Sequence, residues 1–140
     1  MSGQYGQSFA SKLLQAQKYD EAVTEATRAI GLEEDDPENY LDRASALVEL
    51  DRAAESIADF IRALELDQEV HVLETDFVDD AYFSALLDVA RKGEVQAGVK
   101  TLETYLGTLP KGRHVADVHD WQRRLTGELQ SEFVKRRVDE

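Results

Sequence analysis

The 140-residue chain has no cysteine, only two prolines, one tryptophan and no long uncharged apolar run. The absence of cysteine excludes disulfides, thiolate zinc or iron–sulfur sites and thiol nucleophiles. A membrane-spanning helix needs about 18–20 consecutive apolar residues, so we predict no membrane span. Residues 1–12 lack the basic-then-apolar order of a secretory signal, and we therefore expect a cytoplasmic protein.

Positive charge is also scarce. The chain has 16 Lys and Arg against 29 Asp and Glu, a net charge of −13, and residues 33–80 hold 17 of the acidic residues and only three of the basic ones. Because so negative a surface repels phosphate backbones, we predict no nucleic-acid partner. It attracts basic proteins at modest salt instead.

The chain contains an internal repeat. Positions i and i + 34 are both apolar or small in several cases: Ala10 and Ala44, Leu13 and Leu47, Val23 and Ile57, Ala29 and Ala63. Positions i and i + 42 correspond for a third unit: Tyr40 and Tyr82, Ala44 and Leu86, and Phe60 and Leu102 are apolar or small, and Asp51 falls on Gly93. The chain therefore contains three similar units, with about eight extra residues before the third.

Each unit has the pattern of two helices. In the second unit apolar residues recur at spacings of three and four, with a break near residues 51–52, and no segment alternates with period two. Pro37 is suited to open a helix, because its missing N–H would have no partner there. Gly93 is suited to end one in the left-handed conformation. These signals predict helix pairs and little or no strand.

The second unit carries the pattern most fully, with PENYLDRA at residues 37–44 and ALELD at residues 63–67. This pattern resembles the tetratricopeptide repeat (TPR) family, whose 34-residue units are helix–turn–helix pairs. The resemblance implies an all-α, TPR-like α-solenoid, a single domain over residues 1–140. It consists of three helix pairs and a long C-terminal helix. We place repeats at about residues 4–36, 37–67 and 79–112, an insert at 68–78 and a capping helix at 113–138.

The capping helix is predicted from apolar residues at helical spacing after the third unit. These residues are Val118, Trp121, Leu125, Leu129 and Phe133. Trp121 is compatible with an interface anchor or with a seal over the last repeat, and we favour the seal.

No group of residues carries a strong signal for catalysis or metal binding. The acidic run at residues 33–36 lacks the spacing of a calcium loop, and we interpret it as a solvated turn. The aspartates of residues 76–80 are interpreted as capping residues favoured by the helix dipole. His114 and His119 would point about 140° apart on a helix, a poor arrangement for one metal ion. Neither a nucleophile elbow nor a phosphate-binding loop is present. We predict no metal, no cofactor and no enzymatic activity.

The family resemblance implies a concave groove lined by the first helix of each pair. The groove positions it predicts are Leu41, Ser45, Val48, Phe83, Leu87 and Arg91, with Gln7 and Ser11 on the first helix. Family members that grip a C-terminal carboxylate use Lys and Asn on these faces. Arg91 is the one cation at these positions, so a carboxylate clamp is not expected. Apolar side chains of an extended peptide or a helix suit the groove better.

We therefore expect a non-catalytic adaptor that binds a protein or peptide, favouring a partner that is basic beside its apolar anchors. One alternative is a homo-oligomeric scaffold assembled through the C-terminal helix. Another is an acidic chaperone for secreted proteins, which follows from family analogy alone. The sequence is also compatible with a groove filled by the chain's own insert or last helix.

Overall fold

A computed structural model of the protein describes the backbone of residues 8–139 and the side chains of residues 8–127. The predicted all-α fold is confirmed, because this part of the chain contains helices and no strand. Gln7 and the side chains of Leu129 and Phe133 lie outside the described residues. The helices of the described part are α1 (Phe9–Gln15), α2 (Tyr19–Leu32), α3 (Pro37–Glu49), α4 (Ala53–Val70), α5 (Thr75–Lys92), α6 (Val95–Thr108) and α7 (Val115–Asp139).

The chain divides into two compact units, Met1–Val78 (unit 1) and Asp79–Glu140 (unit 2), and the division falls within α5. Unit 1 contains α1 to α4, and unit 2 contains most of α5 with α6 and α7. Among the described residues, no helix is both long and apolar enough to cross a membrane.

The turn between the two helices of a pair is built identically in the first and second repeats. Gln17 and Asp51, which occupy equivalent positions in the two repeats, both adopt the left-handed backbone conformation, with φ of 60° and 59°. The N–H that follows each of them donates to the carbonyl five residues earlier, at 2.9 Å after Gln17 and 2.8 Å after Asp51. This pattern is the Schellman ending of a helix. The period of the sequence therefore recurs in the backbone.

The third turn departs from this pattern, and the prediction of a left-handed Gly93 is wrong. No described glycine has a positive φ. The chain enters α6 through Glu94, which is extended, with φ of −69° and ψ of 153°. Because the direction change is made with an extended residue, Gly93 does not need the left-handed conformation.

The start of α3 agrees with the prediction for Pro37, which occupies the first turn of the helix. The side chain of Asp36 accepts a hydrogen bond from the Glu38 N–H at 3.0 Å and caps the helix. Such a cap satisfies one of the backbone donors that a helix start leaves without a partner. The acidic turn before α3 thus includes a specific cap.

The residues predicted as an insert lengthen two helices around a short linker. Residues 68–70 complete α4, residues 71–74 form the linker and α5 begins at Thr75. His71 ends α4 in the left-handed conformation, with φ of 53°. Buried Asp67 holds the linker, because its Oδ1 accepts hydrogen bonds from the N–H groups of Val72 and Leu73 at 2.7 and 3.0 Å.

Small residues make the core of unit 1. Ala22 and Ala26 on α2, Ala44 on α3 and Ala63 on α4 are completely buried. Alanine lets helix axes approach closely, because its side chain adds little width to the contact. Phe60 on α4, 1% exposed, supplies the large side chain that fills the remaining space.

Unit 2 has a core of larger side chains and one very close helix contact. Its completely buried residues are Tyr82, Leu86, Leu102, Tyr105 and Val118. At Gly98 on α6, an added Cβ would lie 2.6 Å from the backbone oxygen of Ala90 on α5. The two backbones can therefore be this close only because Gly98 has no side chain.

We expect Gly98→Ala to destabilise unit 2 by about 1–3 kcal/mol, because overpacking at a backbone contact outweighs the gain in helix propensity. Gly107→Ala is the matched control on the same helix, since nothing lies within 4 Å of its added Cβ. That control gains about 0.5–1 kcal/mol from helix propensity alone. Urea denaturation followed by the fluorescence of Trp121, the single tryptophan, measures both. Equal effects of the two substitutions would contradict the close contact.

Candidate peptide-binding surface

One face of α3 in unit 1 presents the first half of the predicted groove residues. Leu41, Ser45 and Val48 lie at spacings of four and three and therefore share a helix face. Leu41 and Ser45 are half-buried, and Val48 is 37% exposed. We call these three residues the α3 face. It offers apolar contact area with a hydroxyl in its middle.

Hydrogen bonds from α1 hold α3 at the residue next to Leu41. Ser8 Oγ donates to Asp42 Oδ2 at 2.8 Å, and Ser11 Oγ donates to Asp42 Oδ1 at 3.0 Å. Ser11, predicted as an inward position, is thus a partner of a buried carboxylate. Both oxygens of Asp42 are satisfied, which offsets the cost of burying the group.

A second tie fixes α3 against the helices on its other side. The guanidinium of Arg43 donates through Nε and Nη2 to the two carboxylate oxygens of Asp59 on α4, each at 2.8 Å. Its Nη1 also donates to Thr27 Oγ1 on α2 at 3.3 Å. Asp59 is 5% exposed, and removing Arg43 would leave it without its ion-pair partner. The orientation of the α3 face therefore depends on residues of three neighbouring helices.

The electrostatic environment of α3 is unfavourable for its own carboxylates. Burial raises the pKa of Glu38, and the negative charges of Asp36, Asp42 and Asp67 raise it further. Burial also raises the pKa of Asp42, an effect that the hydrogen bonds from the two serines oppose and that the charge of Asp36 reinforces. A cation bound beside α3 would stabilise the ionised forms of both groups.

The other three predicted groove residues lie on α5 in unit 2. Two of them, Phe83 and Arg91, contact His114 and Trp121 of the same unit. Phe83 is 8% exposed because the ring of His114 stacks on it, with the ring centroids 4.4 Å apart and the planes inclined by 3°. The guanidinium of Arg91 lies 5.3 Å from the centre of the Trp121 ring. Leu87 is half-buried. Phe83 therefore packs within unit 2 and offers little surface to a peptide.

Trp121 is half-buried, and two cations lie close to its ring. Besides Arg91, Arg124 on α7 lies with its guanidinium 5.0 Å from the ring centre. Both distances are within the range of cation–π attraction. The contact with Arg91 joins the start of α7 to α5, in agreement with the interpretation of Trp121 as a seal.

His114 is held more firmly than its interpretation as an ordinary histidine suggested. Its Nε2 lies 2.6 Å from Asp80 Oδ1, and its Nδ1 lies 2.7 Å from Asp117 Oδ2. Burial lowers the pKa of His114, but its hydrogen bonds to Asp80 and Asp117 and the negative charges of Asp79 and Asp80 outweigh that effect and raise it overall. With a carboxylate at each ring nitrogen, the imidazolium is the favoured form.

Asp79, 6% exposed, is a buried carboxylate of unit 2. It accepts a hydrogen bond from the hydroxyl of Tyr105 and another from the Arg113 N–H at 2.9 Å. Burial raises the pKa of Tyr105, and the bond to Asp79 raises it further. An added Cβ at Gly112 would lie 2.2 Å from the Tyr105 hydroxyl oxygen, so the turn before α7 needs glycine there.

The interpretation of the 76–80 aspartates as capping residues is therefore wrong for Asp79 and Asp80. Because α5 begins at Thr75, both lie inside the helix and bind the segment before α7. The sequence contained one signal for this contact. The separation of Asp80 and His114 along the chain equals the offset that relates the first two repeats. Within the described residues, no group of three or more His, Asp or Glu side chains is arranged to hold a metal ion.

We expect Tyr105→Phe to destabilise unit 2 by about 1–3 kcal/mol, because buried Asp79 loses a hydrogen-bond donor. Tyr40→Phe is the matched control. Its hydroxyl donates at 2.9 Å to the exposed backbone oxygen of Glu34, where water can replace it, so we expect a loss below about 1 kcal/mol. Urea denaturation of both variants measures the difference. A cost for Tyr40→Phe as large as that for Tyr105→Phe would contradict the role of Asp79.

His114 predicts a defined pH dependence of stability. Since folding raises its pKa, its stabilising contribution is complete below the unfolded-state value of about 6.5 and is lost as pH rises through the folded-state value. The difference in unfolding free energy between wild type and His114→Gln is therefore expected to shrink between pH 6 and pH 9 (about the range in which histidine titrates). A flat His114→Gln difference would refute the assignment.

No family model and no curated protein matches the chain. A solved structure does: the first TPR of Spaghetti (RPAP3) bound to HSP90 peptide SRMEEVD. The two chains are 20% identical, the alignment covers 86% of this chain and 89% of that one, and the TM-score is 0.51. At this identity the similarity establishes the fold and not the ligand. The resemblance inferred from residues 37–67 is thus confirmed at the level of structure: the chain has an all-α, TPR-like fold.

Proposed function

We propose that the chain is a non-catalytic adaptor that binds a segment of another protein along the α3 face. The observation that carries this proposal is the exposed carboxylate of Glu38, whose pKa is raised, three residues before Leu41 and beside the partly exposed apolar row. A segment with apolar side chains beside a cation would cover the row and stabilise the ionised form of Glu38.

The charge of unit 1 supports a basic partner. Residues 1–78 contain 18 acidic and six basic side chains. The peptide in the similar structure contains three acidic residues and one basic residue, so the partner proposed here has the opposite charge. Peptide binding by a protein of similar fold supports peptide binding as the class of activity. The chemistry of the partner is inferred from the residues of this chain.

On α5, Leu87 and Arg91 remain proposed contacts. Phe83 is not included, because its ring is covered by His114. The cation–π contact with Trp121 holds the Arg91 side chain. Leu87 is the apolar member of this pair.

The test compares Val48→Lys with Val70→Lys. Both valines are exposed, at 37% and 51%, and both substitutions exchange an apolar side chain for a cation within unit 1. Bait proteins are incubated with host lysate and the retained proteins are quantified by mass spectrometry. We expect specific partners to fall by at least about fivefold with Val48→Lys and to stay unchanged with Val70→Lys, because a contact in the centre of an interface costs more than about 1 kcal/mol.

Two further properties follow from the same contact. Retention is expected to strengthen as pH rises through the pKa of Glu38, because the partner's cation binds the ionised carboxylate. It is also expected to weaken with added salt, which screens exposed charges. Identical recovery with both lysine variants would contradict the α3 face as the binding surface. Circular dichroism confirms that each variant remains folded.

A further inference from the structure

A second surface of unit 1 lies between α1 and α2 and does not involve the α3 face. It is a pocket of about 340 Å³ lined by Phe9, Leu13, Asp20, Glu21, Thr24 and Glu25, which we call the Phe9 pocket. The ring of Phe9 is 61% exposed, unusual for so large an apolar side chain. The volume lies within the range of small ligand sites. The pocket combines an aromatic ring with three carboxylates.

The second repeat shows what occupies the corresponding place inside this chain. The offset between the first two repeats relates Phe9 to Arg43 and Glu25 to Asp59. In the second repeat, the Arg43 guanidinium binds both oxygens of Asp59 and also reaches Thr27 on the preceding helix pair. An arginine therefore lies against the second helix of its own pair. In the first repeat, the residue at the position of this arginine is phenylalanine, and a carboxylate is retained at the position of its partner.

The pocket's carboxylates are placed to receive a cation from outside. Asp20 and Glu21 are exposed on the first turn of α2. Glu25 pairs with Arg28, whose side chain is 62% exposed. Carboxylates and an aromatic ring are two groups that bind a guanidinium favourably, the first through charge-assisted hydrogen bonds and the second through cation–π attraction.

The net charge decides between two sources of the cation. A second copy of the chain would bring a further net charge of −13 to a unit that already holds 18 acidic and six basic residues. Repulsion between like net charges opposes such an association. A basic segment of a different protein is attracted by the same field. The occupant is therefore a partner and not another copy.

We propose that the Phe9 pocket is a binding site for an arginine side chain of a basic partner protein. Arginine fits better than lysine, because its planar fork can stack on the Phe9 ring and bind a carboxylate of the pocket at the same time. Leu13, which is half-buried, supplies apolar contact for the methylene stem. An adaptor with this site recognises its partner at two separate surfaces of unit 1.

The probe is an acetylated and amidated peptide of alternating leucine and arginine, five residues long. Two matched peptides carry citrulline or lysine in place of arginine. Binding is followed by the backbone amide signals of the full-length protein in NMR titrations, which detect the weak affinity expected for so short a ligand. We expect the arginine peptide to shift the signals of Phe9, Leu13 and Thr24. We expect citrulline to weaken binding by at least about tenfold, because it removes the charge, and lysine to weaken it less.

Variants locate the site. Asp20→Asn combined with Glu21→Gln is expected to weaken the arginine peptide by about fivefold, and Phe9→Ala by a similar factor. The control is Glu34→Gln combined with Asp35→Asn, which removes the same charge from the exposed turn after α2. We expect the control to change affinity by less than about twofold, the effect of net charge alone.

Four results would overturn the proposal. The first is that the control pair of substitutions weakens binding as much as the pocket pair, which would mean that the peptide responds only to net charge. The second is that the peptide shifts the amide signals of Leu41 and Val48 instead, which would support binding at the α3 face and exclude the pocket. The third is that the peptide binds only after deletion of residues 1–7, which would mean that the occupant is the chain's own N-terminus. The fourth is that sedimentation shows self-association that Phe9→Ala abolishes, which would mean that a second copy of the chain occupies the pocket.

Discussion

Buried aspartates join neighbouring helices within each unit, and the position of the α3 face depends on two of them. Asp42 binds two serines from α1, Asp59 binds the guanidinium of Arg43, and Asp79 binds Tyr105 and the turn before α7. These aspartates are at most 9% exposed. A buried carboxylate that loses its partner is costly, whereas one that keeps its partners restricts the helices to one arrangement. Part of the chain's acidic excess is therefore structural.

The period of the sequence was sufficient to predict the helix pairs, because the residues that repeat are the ones that pack. Alanine at positions 10 and 44, or at 29 and 63, recurs at equivalent places in the first two repeats, and even the torsion angles of Gln17 and Asp51 recur. The ties Ser8–Asp42, Asp79–Arg113 and Asp80–His114 also span 34 residues each, but this offset alone does not show which acidic residues are buried. Asp42 and Asp79 occupy unrelated positions in their repeats, so an amphipathic pattern cannot indicate which carboxylates turn inward.

The shared face of the proposed contact residues was predictable in unit 1, and the burial of Phe83 in unit 2 was not. Helical spacing was enough to place Leu41, Ser45 and Val48 on one face. It could not show that His114 would stack on Phe83, because that contact depends on how the segment between α6 and α7 returns across α5. The capping interpretation of Asp79 and Asp80 failed for a related reason: α5 starts several residues earlier than the repeat pattern indicates.

The recurrence of one torsion angle at Gln17 and Asp51 also bears on how such a protein can grow. The two turns share a backbone geometry and lie one repeat period apart, so one can replace the other. Duplication of the segment between them would begin and end on the same conformation, so a longer array could arise by tandem copying without a new connector. The departure at Gly93 marks the place where that modularity stops.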